Sequence, residues 1–394
     1  MSATQSQLVL PILEALDANG GRADISCIYD GVAAITGVCV DERQRRGVVS
    51  EGGASINLWE RTVRWSQQRA KLLGLIERAE ERHWELTGKG KAALRAARPG
   101  IVITVYENAH GVALYGRCED AVAYIDDASV SLILTSPPYP LLRPKQYGNL
   151  DVKEYIEWFM GVAKDWPRKL TADGSIVLNL GDVWERGRPT QSVYQERLLV
   201  RLVDELGLRL CQRFAWLNPS KLPAPAEWVT IRRVRMKPGL ETIYWLSPHD
   251  HPFADNRAVL RPYSESMRAR IAAGGEKKAA RPSGYGLAAG AFGKDAGGSI
   301  PDNLLVAPNT ESNSRYIRYC RENDLPVHPA RFPTAVPQFF IKALTRPGDT
   351  VWDPMAGSLT TAAEAQELER KWIASEMHLE YLLGGIGGRL ATAA

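Results

Sequence analysis

The stretch Ser136-Pro137-Pro138-Tyr139 brings several chemically useful groups into one short loop. It follows the apolar run at 132–134, which is typical of a buried strand. The two prolines end that strand, because proline has no N–H to donate and its φ is fixed. The sequence therefore predicts a rigid loop that presents the Ser136 hydroxyl, the Pro137 carbonyl and the Tyr139 ring.

These groups suit methyl transfer to an exocyclic amino group of cytosine or adenine. Such an amine attacks poorly because its lone pair is delocalised into the base. A hydroxyl and a fixed carbonyl can accept both of its N–H bonds, which aims the lone pair by positioning and preorganised electrostatics. The aromatic ring can stack on a base that has left the duplex. An ordinary Pro-Pro turn is the alternative, and the tetrapeptide alone does not decide between the two.

A second loop, Asp353-Pro354-Met355-Ala356-Gly357-Ser358, follows another short strand-like run far downstream. Gly357 permits close approach of the backbone to a ligand. Glu376 ends the next apolar segment. An acid about 20 residues after a glycine loop is the usual partner of ribose hydroxyls in nucleotide-binding α/β folds. A Gly-x-Gly-x-x-Gly pattern is absent, so a dinucleotide is not favoured, and a plain strand–turn–helix is the alternative.

Together the two loops resemble the catalytic and S-adenosylmethionine motifs of bacterial DNA amino-methyltransferases. The catalytic motif comes first and the cofactor motif last, which is similar to the permuted beta group of that family. The resemblance covers about residues 100–390 and looks closest to the restriction-type cytosine-N4 members. It also implies that Arg331, Phe332 and Pro333 lie against the methionine end of the cofactor.

The resemblance implies an α/β fold with a doubly wound, Rossmann-like methyltransferase sheet and permuted motif order. Both loops would then lie at the carboxyl ends of strands, where such sheets bind ligands. The predicted segments are a winged-helix-like DNA-binding or accessory domain at 1–98, a methyltransferase catalytic block at 99–217, a target-recognition region inserted at 218–300, and a methyltransferase cofactor-binding block at 301–394.

One position departs from the family pattern. An acidic residue near the end of the strand at 112–116 contacts the adenine of the cofactor in the family. Here Arg117 follows Gly116 directly, and Glu119 and Asp120 come just beyond it. The sequence leaves open which acid takes that place.

The N-terminal region has its own pattern. Apolar residues recur at helical spacing in 8–16 and 57–76, and 83–87 is typical of a short strand. Helices followed by a short hairpin are typical of a winged helix, and the end of this region resembles the winged-helix domains fused to some restriction enzymes. Arg64 lies on the polar side of the second helix, so DNA contact is predicted there. A solvated face in a protein-contact domain is the alternative.

Two further regions carry candidate DNA-binding residues. The loop after the catalytic tetrapeptide is basic and aromatic, and region 218–300 is basic, loop-rich and suited to phosphate and base contacts. A surface insertion without a ligand is the alternative. Trp216 is a candidate to stack on the flipped base, and a core position is at least as consistent with it. The other candidates are Lys145, Gln146, Tyr147, Ser220, Lys221, Arg232, Arg233, Arg235 and Lys237.

Composition sets the remaining limits. The length of 394 residues suggests two or three domains, and the hydrophobic content of 45% is ordinary for a globular protein. No apolar run reaches the ~18–20 residues that span a membrane, and no signal peptide is recognisable, so the cytoplasm is the expected location. A net charge of +4 does not by itself require nucleic acid.

The five cysteines predict neither a disulfide nor a zinc site, because they are scattered without metal-ligand spacing. None stands next to a proline, which argues against cytosine-C5 methylation with its Pro-Cys nucleophile. They are Cys27, Cys39, Cys118, Cys211 and Cys320.

The sequence therefore predicts an S-adenosylmethionine-dependent enzyme that methylates an exocyclic amine of a flipped base in double-stranded DNA. In the family, Ser at position 136 leans to cytosine N4 and Asp leans to adenine N6, and both bases stay open. A DNA-binding regulator with an inactive methyltransferase domain and an RNA or protein-amide methyltransferase are the other hypotheses. A homodimer is expected from the resemblance, and no metal is expected.

Overall fold

The computed structural model describes residues 8–48, 55–72, 74–94, 97, 99–100, 102–140, 152–277, 279–280 and 286–390. The chain divides into two compact units, Met1–Ala97 and Arg98–Ala394. Among the described residues, no helix is both long enough and apolar enough to cross a membrane.

The N-terminal unit is a small helical domain with a three-stranded sheet. Strand β5 lies between β1 and β4 and is antiparallel to both. The elements are α1 (Val9–Ala18), β1 (Arg22–Asp24), α2 (Ile25–Thr36), α3 (Val40–Gln44), β2 (Arg46–Gly47), β3 (Ile56–Asn57), α4 (Leu58–Leu72), β4 (Ile76–Glu80), β5 (His83–Leu86) and α5 (Gly88–Leu94).

The core of this unit follows from the helical spacing of its apolar residues. Ile12 and Leu16 lie one turn apart on α1, and both are fully buried in a cluster with Val32, Val63 and Trp84. The unit contains the two helices and the strand that the sequence predicted within 8–16, 57–76 and 83–87. Helices followed by a β-hairpin give it the element order of a winged helix.

The C-terminal unit alternates strands and helices. Its first half contains β6 (Ile103–Glu107), β7 (Gly111–Tyr115), α6 (Cys118–Ala121), a 3₁₀ turn (Val122–Tyr124), β8 (Val130–Thr135), α7 (Val152–Ala163), α8 (Trp166–Lys169), β9 (Leu170–Leu180), α9 (Tyr194–Leu206), β10 (Arg209–Leu217), a π turn (Glu227–Ile231) and β11 (Leu240–Ser247). Its second half contains a 3₁₀ turn (Asn256–Val259), α10 (Glu265–Ala272), β12 (Ala279–Ala280), β13 (Gly286–Leu287), β14 (Leu304–Val306), α11 (Arg315–Glu322), α12 (Ala335–Leu344), β15 (Thr350–Asp353), α13 (Thr360–Glu367), β16 (Lys371–Glu376), α14 (Leu379–Gly385) and a π turn (Ile386–Leu390).

Nine of the described strands form one mixed sheet in the order β14-β10-β11-β9-β8-β15-β16-β7-β6. The five central strands β9, β8, β15, β16 and β7 are mutually parallel. Strand β8, which leads to the Ser-Pro-Pro-Tyr loop, pairs directly with β15, which leads to the second loop. The two motifs therefore lie side by side in the structure, because the strands that lead to them are far apart in sequence but are neighbours in the sheet.

Helices cover both faces of this sheet. Ile133 of β8 points into a core with Phe159 and Leu198, whose helices are α7 and α9. Its neighbours Leu132 and Leu134 belong to the opposite core, which includes residues of α12 and α13. Strand β8 is buried along its whole length, as expected for a central parallel strand. The fold is thus the predicted doubly wound α/β sheet.

The structure corrects one boundary interpretation. The predicted region 218–300 is not a continuous loop-rich insertion, because Leu240–Ser247 forms strand β11 inside the main sheet. Strand β11 pairs antiparallel with both β9 and β10. Its apolar residues Ile243 and Tyr244 are buried, which explains why this segment joins the core. The parts of this region that lie outside the main sheet are 218–239 and 248–300, and the second of them contains α10, β12 and β13.

Candidate active site at the carboxyl ends of the parallel strands

The Ser-Pro-Pro-Tyr loop leaves the sheet directly after Thr135, the last residue of β8. Pro137 is buried, and Ser136 and Tyr139 are half-buried. The Tyr139 ring packs against Gly181 at the end of β9, so that a Cβ atom on Gly181 would lie 2.4 Å from a ring carbon. A glycine is therefore needed at 181 to hold the tyrosine in place.

A hydrogen-bond network joins this loop to two other strands. The hydroxyl oxygens of Ser136 and Tyr139 lie 3.0 Å apart. The Tyr139 hydroxyl donates to Oε2 of Glu241 at 3.1 Å, and the Asn179 amide Nδ2 donates to the same oxygen at 3.0 Å. Nδ2 also lies 3.3 Å from Ser136 Oγ and 3.2 Å from Tyr139 Oη. Four polar side chains thus converge where β8, β9 and β11 meet.

Glu241 carries the negative charge of this network, and Lys221 balances it. Lys221 Nζ donates to Glu241 Oε1 at 3.0 Å, with exposed side-chain fractions of 31% and 13%. The sheet explains the contact, because β10 ends and β11 begins at the same edge, with Trp216 paired to Glu241. Burial, and secondarily the Glu241 carboxylate, raise the pKa of Tyr139 well above its ordinary value, so the phenol stays protonated. We call Ser136, Tyr139, Asn179, Lys221 and Glu241 the catalytic edge, after the role that the sequence predicts for the Ser-Pro-Pro-Tyr loop.

The second loop is held by hydrogen bonds to its own backbone, to α13 and to β16. Asp353 is 2% exposed and accepts from the Met355 backbone N–H at 3.2 Å and from the Thr361 hydroxyl at 2.6 Å. Burial raises the pKa of Asp353 to about 6. The Pro354 carbonyl accepts from the Ser375 hydroxyl at 2.9 Å, and the Ala356 N–H donates to the Ser375 carbonyl at 2.9 Å. These bonds fix the loop between β15 and α13.

Glu376 ends β16 and closes the loop from the other side. It is 8% exposed and accepts from the Gly357 N–H and the His378 N–H, both at 3.0 Å. Burial is the main reason why its pKa is raised to about 7. The bond to Gly357 brings this acid beside the glycine loop, and its role as the partner of ribose hydroxyls stays a prediction. We call residues 353–358 and Glu376 the cofactor edge, after the role that the sequence predicts for them.

Gly357 has a left-handed backbone and a close neighbour. Its φ is +50°, and a Cβ atom there would lie 3.0 Å from the His328 ring. The segment after His328 is tied to it, because the Arg331 guanidinium donates to the His328 carbonyl at 2.6 Å. Phe332 packs against the core that contains α12, and the Pro333 carbonyl accepts from the first turn of that helix. The predicted 331–333 segment therefore approaches the cofactor edge through His328.

Strand β7 ends next to Glu376, where the family pattern is broken. The Gly116 N–H donates to the Glu376 carbonyl at 3.0 Å. Glu119 is already bonded, to Arg117 at 2.9 Å and to the Trp158 indole at 2.8 Å. Asp120 Oδ2 is buried and has no hydrogen-bond partner within the described part of the chain. Of the two acids that the sequence offered, Asp120 is the one with an available oxygen.

The described structure holds no group of three or more His, Cys, Asp or Glu side chains that could bind a metal ion. All five cysteines are free thiols, and Cys118 and Cys320 are buried.

Comparison with known proteins identifies the family. Residues 130–384 match the family model described as DNA methylase, of the N6/N4 type. The chain belongs to this DNA methylase family. Residues 6–96 match a different model, the Mrr N-terminal domain. The predictions of the fold class, of DNA methyltransferase activity and of S-adenosylmethionine as cofactor are thereby confirmed.

Individual relatives agree with the family match. The Type II methyltransferase M.PvuII of Proteus hauseri is 43% identical over 279 residues, which are 70% of this chain and 83% of the relative. M.BglII of Bacillus subtilis is 26% identical over 66% of this chain and 63% of its own. The solved PvuII DNA methyltransferase, titled cytosine-N4-specific, has a TM-score of 0.60 at 36% identity and covers 74% of this chain and 90% of its own.

The residues of the cofactor edge fit S-adenosylmethionine. Glu376 presents a buried carboxylate at a strand end, which suits two ribose hydroxyls. Gly357 leaves the loop without a side chain at its closest point. The unpartnered Asp120 oxygen and the unpartnered His378 Nε2, both buried among the described residues, are polar atoms that a bound nucleoside could satisfy.

The predicted DNA-binding residues lie in several different environments. Lys145, Gln146 and Tyr147 lie outside the described residues. Arg64 is exposed on α4, and Lys221 lies at the catalytic edge. Ser220 is exposed just before Lys221, and its backbone N–H donates to Asn218 Oδ1 at 3.1 Å. In the irregular part at 218–239, Arg232 pairs with Glu227, Arg233 is exposed, Arg235 lies 3.6 Å over the Trp184 ring, and Lys237 donates to the Pro219 carbonyl.

The interpretation of Trp216 as a base-stacking residue is wrong. Trp216 is 3% exposed, and its indole donates to the Ala307 carbonyl at 2.9 Å. It belongs to the core on one face of the sheet, since β10 lies between β11 and β14. An indole in this position cannot reach a base.

Sequence reasoning missed Asn179 and Glu241. A polar residue within the apolar run 176–180 is a signal that could have marked Asn179. Glu241 has no comparable local signal, because its partners Ser136, Tyr139 and Asn179 are distant in sequence.

Proposed function

We propose that the protein transfers the methyl group of S-adenosylmethionine to the N4 amine of a cytosine flipped out of duplex DNA. The observation that carries this proposal is the side-by-side pairing of β8 and β15, with Trp352 opposite Ile133. The loop with Ser136 and the loop with Gly357 therefore leave the sheet at the same edge. A base amine and a methyl donor bound at these two loops would be neighbours.

At the catalytic edge, the Ser136 hydroxyl and the Pro137 carbonyl accept the two N–H bonds of the target amine. The Tyr139 ring, held against Gly181, stacks on the extruded base, and Pro138 keeps the loop rigid. These groups bind and orient the amine and do not form a covalent bond to it.

At the cofactor edge, Glu376 accepts from the ribose, and residues 353–358 shape the pocket through the buried Asp353 carboxylate. Arg331, Phe332 and Pro333 border the methionine end. When bound, S-adenosylmethionine supplies an electrophilic methyl group on a sulfonium.

Two observations favour cytosine over adenine. Position 136 is a serine, and the solved relative with a TM-score of 0.60 is titled cytosine-N4-specific. The family model includes both N6 and N4 enzymes, so adenine N6 is the competing base.

Nucleoside mass spectrometry on DNA from cells that express the protein tests the base. N4-methylcytosine with the intact chain, and not with Ser136→Ala, is the expected result. N6-methyladenine in its place would keep the enzyme class and reverse the base. Incorporation of label from S-adenosylmethionine into RNA or protein, without label in duplex DNA, would contradict the proposal.

The DNA-binding roles rest on charge and position. Lys221 lies at the catalytic edge, and the arginines at 232, 233 and 235 follow it in the same segment between β10 and β11. The two parts 218–239 and 248–300 would form the target-recognition region. Lys145, Gln146 and Tyr147 would contact the same duplex. The N-terminal unit would add phosphate contacts through Arg64, and the blocks 99–217 and 301–394 would remain the methyltransferase proper.

Salt titration tests Arg64. Arg64→Ala should weaken DNA binding uniformly across sequences and reduce the salt slope by about 1. Arg43→Ala is the matched control, since Arg43 is already paired with Asp30. Equal salt slopes for Arg64→Ala and the wild type would contradict a DNA contact through Arg64.

A homodimer stays a prediction, and a monomeric mass with and without DNA would contradict it.

A further inference from the structure

The catalytic edge contains a carboxylate that the chemistry above does not use. We propose that Glu241 is a positioning residue that orients the hydroxyl protons of Tyr139 and Ser136, so that the serine presents a lone pair to the target amine. This inference rests on the proposed amine methylation. It assigns the direction of the hydrogen bonds, which the distances alone leave open between Ser136 and Tyr139.

The geometry of Glu241 carries the first step. Its side chain is 13% exposed, and both of its oxygens have partners. Oε1 accepts from Lys221, and Oε2 accepts from Tyr139 and Asn179. An ionised carboxylate accepts hydrogen bonds and donates none, so every group that contacts it must point a proton toward it.

The direction of the next bond follows from the number of protons. Tyr139 has a single hydroxyl proton, which goes to Glu241. In the 3.0 Å contact between the two hydroxyls, Tyr139 must then be the acceptor and Ser136 the donor. The raised pKa of Tyr139 agrees with this assignment, because the phenol keeps its proton.

Asn179 enforces the same direction from the other side. Its Nδ2 group can only donate, and it lies within 3.3 Å of Ser136 Oγ and 3.2 Å of Tyr139 Oη. Because it is Nδ2, not the acceptor Oδ1, that faces the serine, the serine proton has no acceptor on that side and is directed to Tyr139. One lone pair of Ser136 Oγ remains to accept an N–H bond from the base. Without the carboxylate, the chain could reverse and turn the serine proton toward the amine.

Substitution by glutamine is the direct test, because the shape is kept while an NH₂ group that can donate replaces one oxygen. In Glu241→Gln, the chain of hydroxyls is free to reverse. We expect the single-turnover rate of methyl transfer to duplex DNA to fall about 10- to 100-fold, below the 10²–10³ of a lost direct donor. Affinities for DNA and S-adenosylmethionine should stay within about twofold, since no direct contact is lost.

Tyr139→Phe supplies a coupling test. It removes only the hydroxyl and keeps the ring against Gly181. If Glu241 acts through this hydroxyl, Tyr139→Phe lowers the rate by a similar factor, and adding Glu241→Gln lowers it little further. A purely structural role would give two independent effects that multiply. Glu205→Gln, an exposed carboxylate paired with Arg201 on α9, is the matched control and should keep the wild-type rate.

The outcomes separate the two proposals. An active wild type with a Glu241→Gln rate within threefold of it would overturn the positioning role alone, as would multiplicative effects of the two variants. A wild type that methylates no base would overturn the proposed function and this inference with it. If Glu241→Gln does not fold, as judged by thermal unfolding, Tyr139→Phe alone decides: an unchanged rate overturns the inference, and a 10- to 100-fold loss supports it.

Discussion

The catalytic edge and the cofactor edge are built by different kinds of contact. At the catalytic edge, side chains bond to one another across long stretches of sequence: Tyr139 and Glu241 are 102 residues apart, and Asn179 and Glu241 are 62 apart. At the cofactor edge, the carboxylates bond mainly to backbone N–H groups, and their partners are closer in sequence. Asp353 bonds to Met355 and Thr361, which are 2 and 8 residues away. Glu376 bonds to His378 and Gly357, which are 2 and 19 residues away.

The carboxylates of the two edges also differ in their counter-ions, burial and pKa values. Glu241 has a lysine counter-ion and partial exposure, whereas Asp353 and Glu376 are buried with raised pKa values of about 6 and about 7. The catalytic edge is therefore a charge-balanced network that orients hydroxyls. The cofactor edge contains two buried carboxylates whose pKa values are raised, so that they bind protons more readily than exposed carboxylates do. Variants at the two edges should accordingly change different observables.

The largest effect is expected at the catalytic edge. Ser136→Ala should lower the rate of methyl transfer about 10²–10³-fold, because the oxygen that polarises the amine is lost. The affinity for S-adenosylmethionine should not change, and filter binding with labelled cofactor measures it. Ser129→Ala is the control and should keep full activity, because Ser129 is a half-buried serine before β8 whose hydroxyl donates to the Asp126 carbonyl. A matching loss of cofactor affinity in Ser136→Ala would contradict the prediction that the two edges have separate roles.

At the cofactor edge, Glu376→Gln should weaken S-adenosylmethionine binding about tenfold or more, since hydrogen bonds to a charged group contribute about 1.5–3 kcal/mol. Isothermal titration calorimetry measures the change. The maximal rate at saturating cofactor should fall much less than the affinity. If Glu376→Gln leaves the affinity unchanged and lowers the maximal rate, Glu376 acts in methyl transfer and not in cofactor binding.

The pH dependence should follow the same division. Burial raises the pKa of Glu376 to about 7, so below that pH the unliganded site holds a proton that ribose binding must displace. The affinity for S-adenosylmethionine should rise by several-fold from pH 6 to pH 8, with proton release on binding. Calorimetry in two buffers of different ionisation enthalpy measures that release. Glu376→Gln should abolish the release, and persistence of it would assign the proton elsewhere.

The same group sets a stability trend of opposite sign. Its folded pKa lies above its unfolded value of about 4.3, so the folded state binds more protons between the two. The contribution of Glu376 to the free energy of unfolding is therefore full below about pH 4 and is lost as the pH rises through about 7. Denaturant unfolding of the wild type and of Glu376→Gln at pH 6 and pH 8 compares them. A larger fall in the variant than in the wild type would contradict this account.

The smallest effect is expected from Gly357→Ala. The left-handed backbone should cost about 1–2 kcal/mol in the free energy of unfolding, and the contact with His328 adds to it. Gly207→Ala is a matched control, because its φ is +66° and no atom lies within 4 Å of its Cβ position. Denaturant unfolding of both separates strain from contact. Equal losses would show that the His328 ring yields without cost.

The parts of the fold and of the site that depend on local residues could be predicted from the sequence. The turn residues of the two loops, the glycine at 357 and the acid at 376 are local signals, and the structure places the loops at neighbouring strand ends. The same holds for the helices of the N-terminal unit, whose apolar spacing is local. The pairing of β8 with β15 was expected only through the family resemblance.

The features that could be predicted from the residues are local: where strands end in rigid loops, which helices have apolar faces, and which residues can accept an N–H bond. The packing of distant segments is what brings β11 into the sheet, Glu241 to Tyr139 and Trp216 into the core. Turn chemistry and periodicity depend on near neighbours in the chain. Strand order and register depend on the packing of segments a hundred residues apart, which no short window of sequence contains.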